Sequence, residues 1–171
     1  ESCTTLRDTV KAAAQARLTS LKPRQVEKKL SADVVLPPPT GRALARTTDR
    51  IVAIGASTGG TEALRVVLEE LPPDCPPIVV VQHMPPAFTA PFAERLNELS
   101  QVRVKEAEEG EGLKPGVVLV APGRGHLSVR RGRVGECYVT IDENRPDLIY
   151  RPSADVMMLS VAEIFPGRAL G

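Results

Sequence analysis

Ile51-Val52-Ala53-Ile54-Gly55-Ala56-Ser57-Thr58-Gly59-Gly60-Thr61 is the stretch on which the fold turns. Its first four residues are a short apolar run of strand type. Glycine and serine follow, and then a helical pattern from about Thr61 to Leu71. On that helix Leu64, Val67, Leu68 and Leu71 form one apolar stripe, and Pro72-Pro73 ends it. A strand running straight into a helix through a glycine-rich corner is the opening unit of an α/β sheet.

The pattern continues outward. Ile78-Val79-Val80-Val81 is continuously apolar, as a strand covered on both faces would be. A second helix, from about Ala90 to Leu99, offers Phe92, Leu96 and Leu99 to a core. Strands are expected at Val102–Val104 and at Val117–Val120, the latter closed by Ala121-Pro122-Gly123. Leu127–Arg131 and Val134–Ile141 alternate as a hairpin does. Ser153 is placed to cap a last helix reaching about Phe165, ended by Pro166-Gly167, and Ala169-Leu170 suggests another strand opening. The order predicts an α/β fold: a doubly wound, mostly parallel sheet with flanking helices and a small antiparallel hairpin.

Residues 1–49 read differently. Leu6 to Leu21 suits a helix, with Leu6, Val10, Ala14 and Leu18 four apart. The run Pro37-Pro38-Pro39 then favours extended, donor-poor backbone, as in a linker. The expected organisation is an interdomain linker over 1–49 and one domain over 50–171. Charge divides at the same place: residues 1–50 carry a net +5, and residues 51–171 a net −4.

Composition narrows the function. Aromatics make up 3% with no Trp, and the basic half is scattered, so no nucleic-acid partner is expected. No run is long enough to cross a bilayer. Cys3, Cys75 and Cys137 are odd in number and far apart, which fits free thiols in a reducing cytoplasm.

The chemistry centres on Ser57. Gly55-Ala56-Ser57-Thr58-Gly59 satisfies the G-x-S-x-G elbow pattern, in which glycines allow a tight turn that projects a hydroxyl from the sheet edge. The helix behind directs unpaired N–H groups at the same place, where an oxyanion can be held. The alternative is a non-enzymatic phosphate- or nucleotide-binding module using the Gly55–Thr61 turn. Neither G-x-x-x-x-G-K-[ST] nor G-x-G-x-x-G is present.

His83 favours the activated serine. It lies one residue past the second strand, so parallel neighbouring strands would bring Ser57 and His83 to one edge, where imidazole can take the serine proton. Thr58 is a candidate neighbour through its hydroxyl. His126, after Gly123-Arg124-Gly125, could line the same cleft, although a packing role is the plainer reading. The two histidines lack metal-site spacing, and neither a metal nor an organic cofactor is expected.

The remaining acids suggest solvated roles. Asp155 suits the first turn of the last helix, and Asp142 and Asp147 flank Pro146 in turn-like sequence. Glu106, Glu108, Glu109 and Glu111 read as a solvated acidic loop.

Ile54–Thr61, Gln82-His83-Met84-Pro85, Ala121-Pro122-Gly123 with His126-Leu127, and Arg151-Pro152-Ser153-Ala154-Asp155-Val156 occur in order. Together they resemble the bacterial chemotaxis response-regulator methylesterase family. The resemblance implies a protein-glutamate methylesterase, in many members also a glutamine deamidase. It would act on the cytoplasmic helices of chemoreceptors through a serine at Ser57 and a histidine at His83. It further implies a phosphorylatable receiver domain as partner, a doubly wound fold distinct from the common α/β-hydrolase fold, and a third, acidic member within a G-M-G-x-D-G segment. That segment would follow the strand beginning at Ala169-Leu170, so the acid is expected beyond Gly171 and the domain is expected to be incomplete at its C-terminus.

Overall fold

The computed structural model describes residues 50–145 and 150–171. The expected helix over Leu6–Leu21, the proline-rich linker and Asp147 lie outside the described residues.

Five strands form one wholly parallel sheet in the order β3-β4-β2-β1-β7: β1 (Ile51–Ala56), β2 (Ile78–Gln82), β3 (Arg103–Glu106), β4 (Val117–Val120) and β7 (Ala169–Leu170). A separate antiparallel hairpin joins β5 (His126–Arg131) to β6 (Cys137–Asp142). Three helices, α1 (Gly60–Glu69), α2 (Pro86–Leu99) and α3 (Ala154–Ile164), complete the described elements. The α/β expectation is met: a mostly parallel sheet, flanking helices and a small hairpin.

Alternation along the strands assigns the two faces. Ile51, Ala53, Val79, Val81 and Leu119 point to one side, where Met157, Val161 and Phe165 of the α3 segment and Leu127, Val129 and Val139 of the hairpin cover them. Ile78, Val80, Val118 and Val120 point to the other, against Leu64 and Leu68 of α1 and Ala93 and Leu96 of α2. Every residue of β2 is buried, which is why its apolar run shows no alternation.

Several expected boundaries and contacts shift. Helix α1 turns Leu64 and Leu68 inward, one turn apart, whereas Val67 is rotated away and 48% exposed. Helix α2 begins at Pro86 rather than near Ala90. Proline suits its first position, and Pro91 inside it is exposed together with Ala87, so the carbonyl that Pro91 leaves unbonded can be hydrated. Leu99 is only half-buried. Strand β6 starts at Cys137, because Gly135 adopts φ +95° in the turn before it and Val134 is exposed. Strand β3 runs two residues beyond Val104.

The acidic segment is not a free loop. Its backbone pairs with β6 through Gly110 N to Val139 O, Val139 N to Glu111 O and Leu113 N to Cys137 O, each 2.9 Å. Lys105 pairs with Glu108 and Glu111, Glu109 accepts from Ile141 N, and Glu106 accepts from the buried Thr89 hydroxyl and pairs with Arg124. Glu108 and Glu109 are exposed, as a solvated segment requires, while Glu106 and Glu111 are half-buried by these contacts.

Candidate active site

Strand register places the site. β1 and β2 are parallel, with Ala56 opposite Gln82 as the last ladder pair, and His83 N donates to Ala56 O at 3.0 Å. The next residues along the two chains are Ser57 and His83. Both therefore leave the sheet at its carboxyl edge, and His83 Nδ1 lies 3.3 Å from Ser57 Oγ. With Nδ1 unprotonated, the ring accepts the serine hydroxyl proton. A slightly long separation is ordinary for such a pair before substrate is bound.

The turn that carries Ser57 differs from a strained elbow. Gly60 N donates to Ser57 O at 2.8 Å, closing a four-residue turn, and Gly59 takes φ +78° and ψ −6°. Those angles belong to the third residue of a type II turn, which favours glycine. Ser57 itself has no positive φ. The G-x-S-x-G pattern thus supplies a tight turn with the left-handed geometry on Gly59 rather than on the nucleophile.

Ser57 and Thr58 are exposed and His83 is half-buried. Helix α1 starts three residues after Ser57 with no side-chain cap, so its first-turn N–H groups are not consumed by one. Among the described residues no carboxylate bonds or ion-pairs with His83.

His126 is elsewhere in purpose. It is fully buried in β5, and its Nδ1 accepts from Ser153 N at 3.2 Å. A ring with no exposed surface presents nothing to an open cleft in this conformation, which favours the packing reading. Ser153 is the N-cap of α3 as expected, accepting from Val156 N at 3.4 Å, with Asp155 in the first turn.

Two site residues escaped sequence reasoning. Tyr150 stacks on the His83 ring, with centroids 5.5 Å apart and planes inclined by 16°. Its only sequence signal is an aromatic before Arg151-Pro152 in a chain with five aromatics. Gln82, 3% exposed, sends its Nε2 to Ser57 O at 2.9 Å and to His83 O at 3.2 Å. Its neighbour Gly60 is required there, since a Cβ on it would stand 2.3 Å from Gln82 Oε1.

Cys75 is buried, and desolvation pushes its thiol pKa upward, which makes a poor nucleophile. Among the described residues no three His, Cys, Asp or Glu side chains gather as a metal site.

Fold and site define a parallel α/β domain with a serine–histidine pair at the carboxyl edge of its sheet. Residues 52–171 match the family model of the CheB methylesterase, and the chain belongs to that family. It is 51% identical, over its whole length, to the protein-glutamate methylesterase/protein-glutamine glutaminase of group 3 operon from Bradyrhizobium diazoefficiens, covering 47% of that protein. It is 50% identical to protein-glutamate methylesterase/protein-glutamine glutaminase 2 of Xanthomonas campestris pv. campestris, over 95% of this chain and 48% of the relative. The chain spans about half the length of these relatives. The crystal structure of the Thermotoga maritima CheB methylesterase catalytic domain superposes with a TM-score of 0.68 at 42% identity, covering 71% of this chain and 65% of that one.

Proposed function

We propose that this chain carries the esterase centre of a protein-glutamate methylesterase that hydrolyses glutamyl methyl esters on the cytoplasmic helices of chemoreceptors, and that it deamidates receptor glutamines at the same centre. The observation that carries this reading is the 3.3 Å approach of His83 Nδ1 to Ser57 Oγ at the carboxyl edge. The names of the relatives support protein-bound glutamate esters and glutamines as the reacting groups, and the chemoreceptor as their carrier rests on the family resemblance. In the full-length protein a phosphorylatable receiver domain would control access, in a cytoplasmic setting. No helix among the described residues is long and apolar enough to cross a membrane.

The reaction divides into two steps. His83 takes the Ser57 proton as Oγ bonds to the ester carbonyl carbon, and backbone N–H groups at the turn and the start of α1 hold the oxyanion. The carbon–methoxy bond breaks, and the proton passes from His83 to the departing oxygen, giving methanol and an acyl-serine. Water, deprotonated by His83, then attacks the acyl carbon and releases the receptor glutamate and Ser57. For a glutamine the leaving group is ammonia. The route requires neither a metal nor an organic cofactor.

The phosphate-cradle reading has less support. Arg65, the nearest cation after the turn, is engaged by Glu62 and by Glu69, and Arg50 lies at the opposite end of β1.

Two measurements test the proposal. Labelled methanol should be released from methylated receptor fragments, and a fluorophosphonate should modify one residue, found by peptide mapping at Ser57. Modification elsewhere, with Ser57 untouched, would remove the nucleophile assignment. Thr58→Ala should keep the melting transition and lower turnover several-fold, since Thr58 follows the nucleophile in the same exposed turn; wild-type kinetics would remove Thr58 from the site.

A further inference from the structure

We infer that Gln82 is a positioning residue that locks Ser57 and His83 into register, an inference that rests on the serine-esterase reading above. The backbone ladder between β1 and β2 ends at Ala56 and Gln82, and beyond it the two chains part toward α1 and α2. One further backbone bond, His83 N to Ala56 O, holds the nitrogen of His83, and no backbone bond between the two strands reaches the carbonyls of Ser57 and His83. The Gln82 side chain fills that gap by donating from one amide nitrogen to the carbonyls of both Ser57 and His83. Each N–H of the amide then holds one member of the pair, and the side chain extends the ladder by one rung.

Three features separate this from ordinary core packing. Gln82 is 3% exposed, yet its Oε1 is buried with no hydrogen-bond partner. A core position chosen for stability alone would carry an apolar side chain of the same size, which leaves no buried oxygen unsatisfied. The neighbouring helix also begins with a glycine where a Cβ would collide with both Gln82 Oε1 and the Ala56 Cβ, at 2.3 and 2.6 Å. Ser57 O is held twice, by Gln82 Nε2 and by Gly60 N. The polar group is thus retained where two reacting side chains must be aligned, and such alignment has to hold to about 0.5 Å.

The test compares Gln82→Met with the wild type. Methionine has similar length and volume and suits an apolar site, so the variant should melt at or above the wild-type temperature. Its kcat on methylated receptor should fall about 10- to 100-fold, the usual cost of a small misplacement, with KM unchanged. Modification of Ser57 by a fluorophosphonate, which needs no receptor contacts, should slow by the same factor. A role in packing alone would move the melting temperature and spare both rates. Wild-type kcat and labelling rate in a folded Gln82→Met protein overturn the inference, as does a loss confined to KM. Should the methionine variant fail to fold, Gln82→Asn takes its place: it keeps the donor amide but withdraws it by one methylene, and full activity there also overturns the inference. The Ser57→Ala control separates the two levels of argument. If it is still labelled at the wild-type rate, the serine reading itself fails; if it is inert while Gln82→Met is fully active, only the positioning role fails.

Discussion

Ser57→Ala is expected to lower the maximal rate of methanol release by about 10⁴- to 10⁶-fold, which corresponds to about 5–8 kcal/mol of lost transition-state stabilisation. The side chain is exposed in the turn, so its hydroxyl contributes little to folding, and stability should change by no more than about 0.5 kcal/mol. Receptor binding should survive, because the contacts that hold a helical substrate lie outside the bond-forming atom. His83→Gln is expected to cost a comparable factor. The amide can still hydrogen-bond Ser57, but it cannot take and return a proton, and it forfeits the ring stacked by Tyr150.

The decisive comparison is the double variant. Nucleophile and base act as one unit, so losing either forfeits nearly all that the pair supplies. Ser57→Ala with His83→Gln should therefore be no slower than either single variant. Multiplying losses would mean that the two residues act independently, and the 3.3 Å approach would then not be a catalytic contact. An undiminished rate in either single variant would send the search to another nucleophile or base.

Much of this site was legible because strand register is a short-range rule. Once β1 and β2 are recognised as parallel neighbours, residues just past each strand end must meet at one edge. The apolar run Ile78–Val81 supplied that recognition, since full burial leaves no other residue type affordable there. The cap at Ser153 was equally local: a serine before an acid-bearing first turn satisfies an N–H of that same turn.

The parts that escaped depend on phase or on distant segments. Val67 belongs to an apolar run in which 100° per residue decides which valine faces the sheet, and the run itself does not say. The acidic segment gave no sign of its backbone pairing, because its partner, the β6 backbone, lies some thirty residues away. Tyr150 reaches His83 only after the chain has returned through the hairpin. Gln82 looked like one polar residue ending a strand. Its significance appears only when the side chain is seen to turn back and bridge two carbonyls. The serine motif was legible in composition but not in geometry, since the pattern does not say which of its residues adopts the left-handed conformation.

His126→Ala is expected to damage stability heavily and chemistry little. The ring is fully buried in β5, beneath the start of α3, and its Nδ1 accepts the Ser153 backbone N–H. Ser153 in turn caps α3, so the histidine secures the residue that organises the helix start. About two turns on, Ser160 accepts from Val129 N at 2.9 Å and donates to Met157 O at 2.7 Å, a second buried polar tether between α3 and β5. Removing the ring opens a cavity beneath the start of α3 and leaves the buried Ser153 N–H without its acceptor. Together these should cost about 3–5 kcal/mol, the range for a large-to-small core change with an orphaned donor. The melting midpoint should fall by on the order of 10 °C. His126→Asn, which can present an amide oxygen near the Nδ1 position, should recover part of that loss. At a temperature where the alanine variant remains folded, kcat per folded molecule should stay within a few-fold of wild type. The opposite result, an unchanged melting curve with a collapsed kcat, would return His126 to the catalytic cleft.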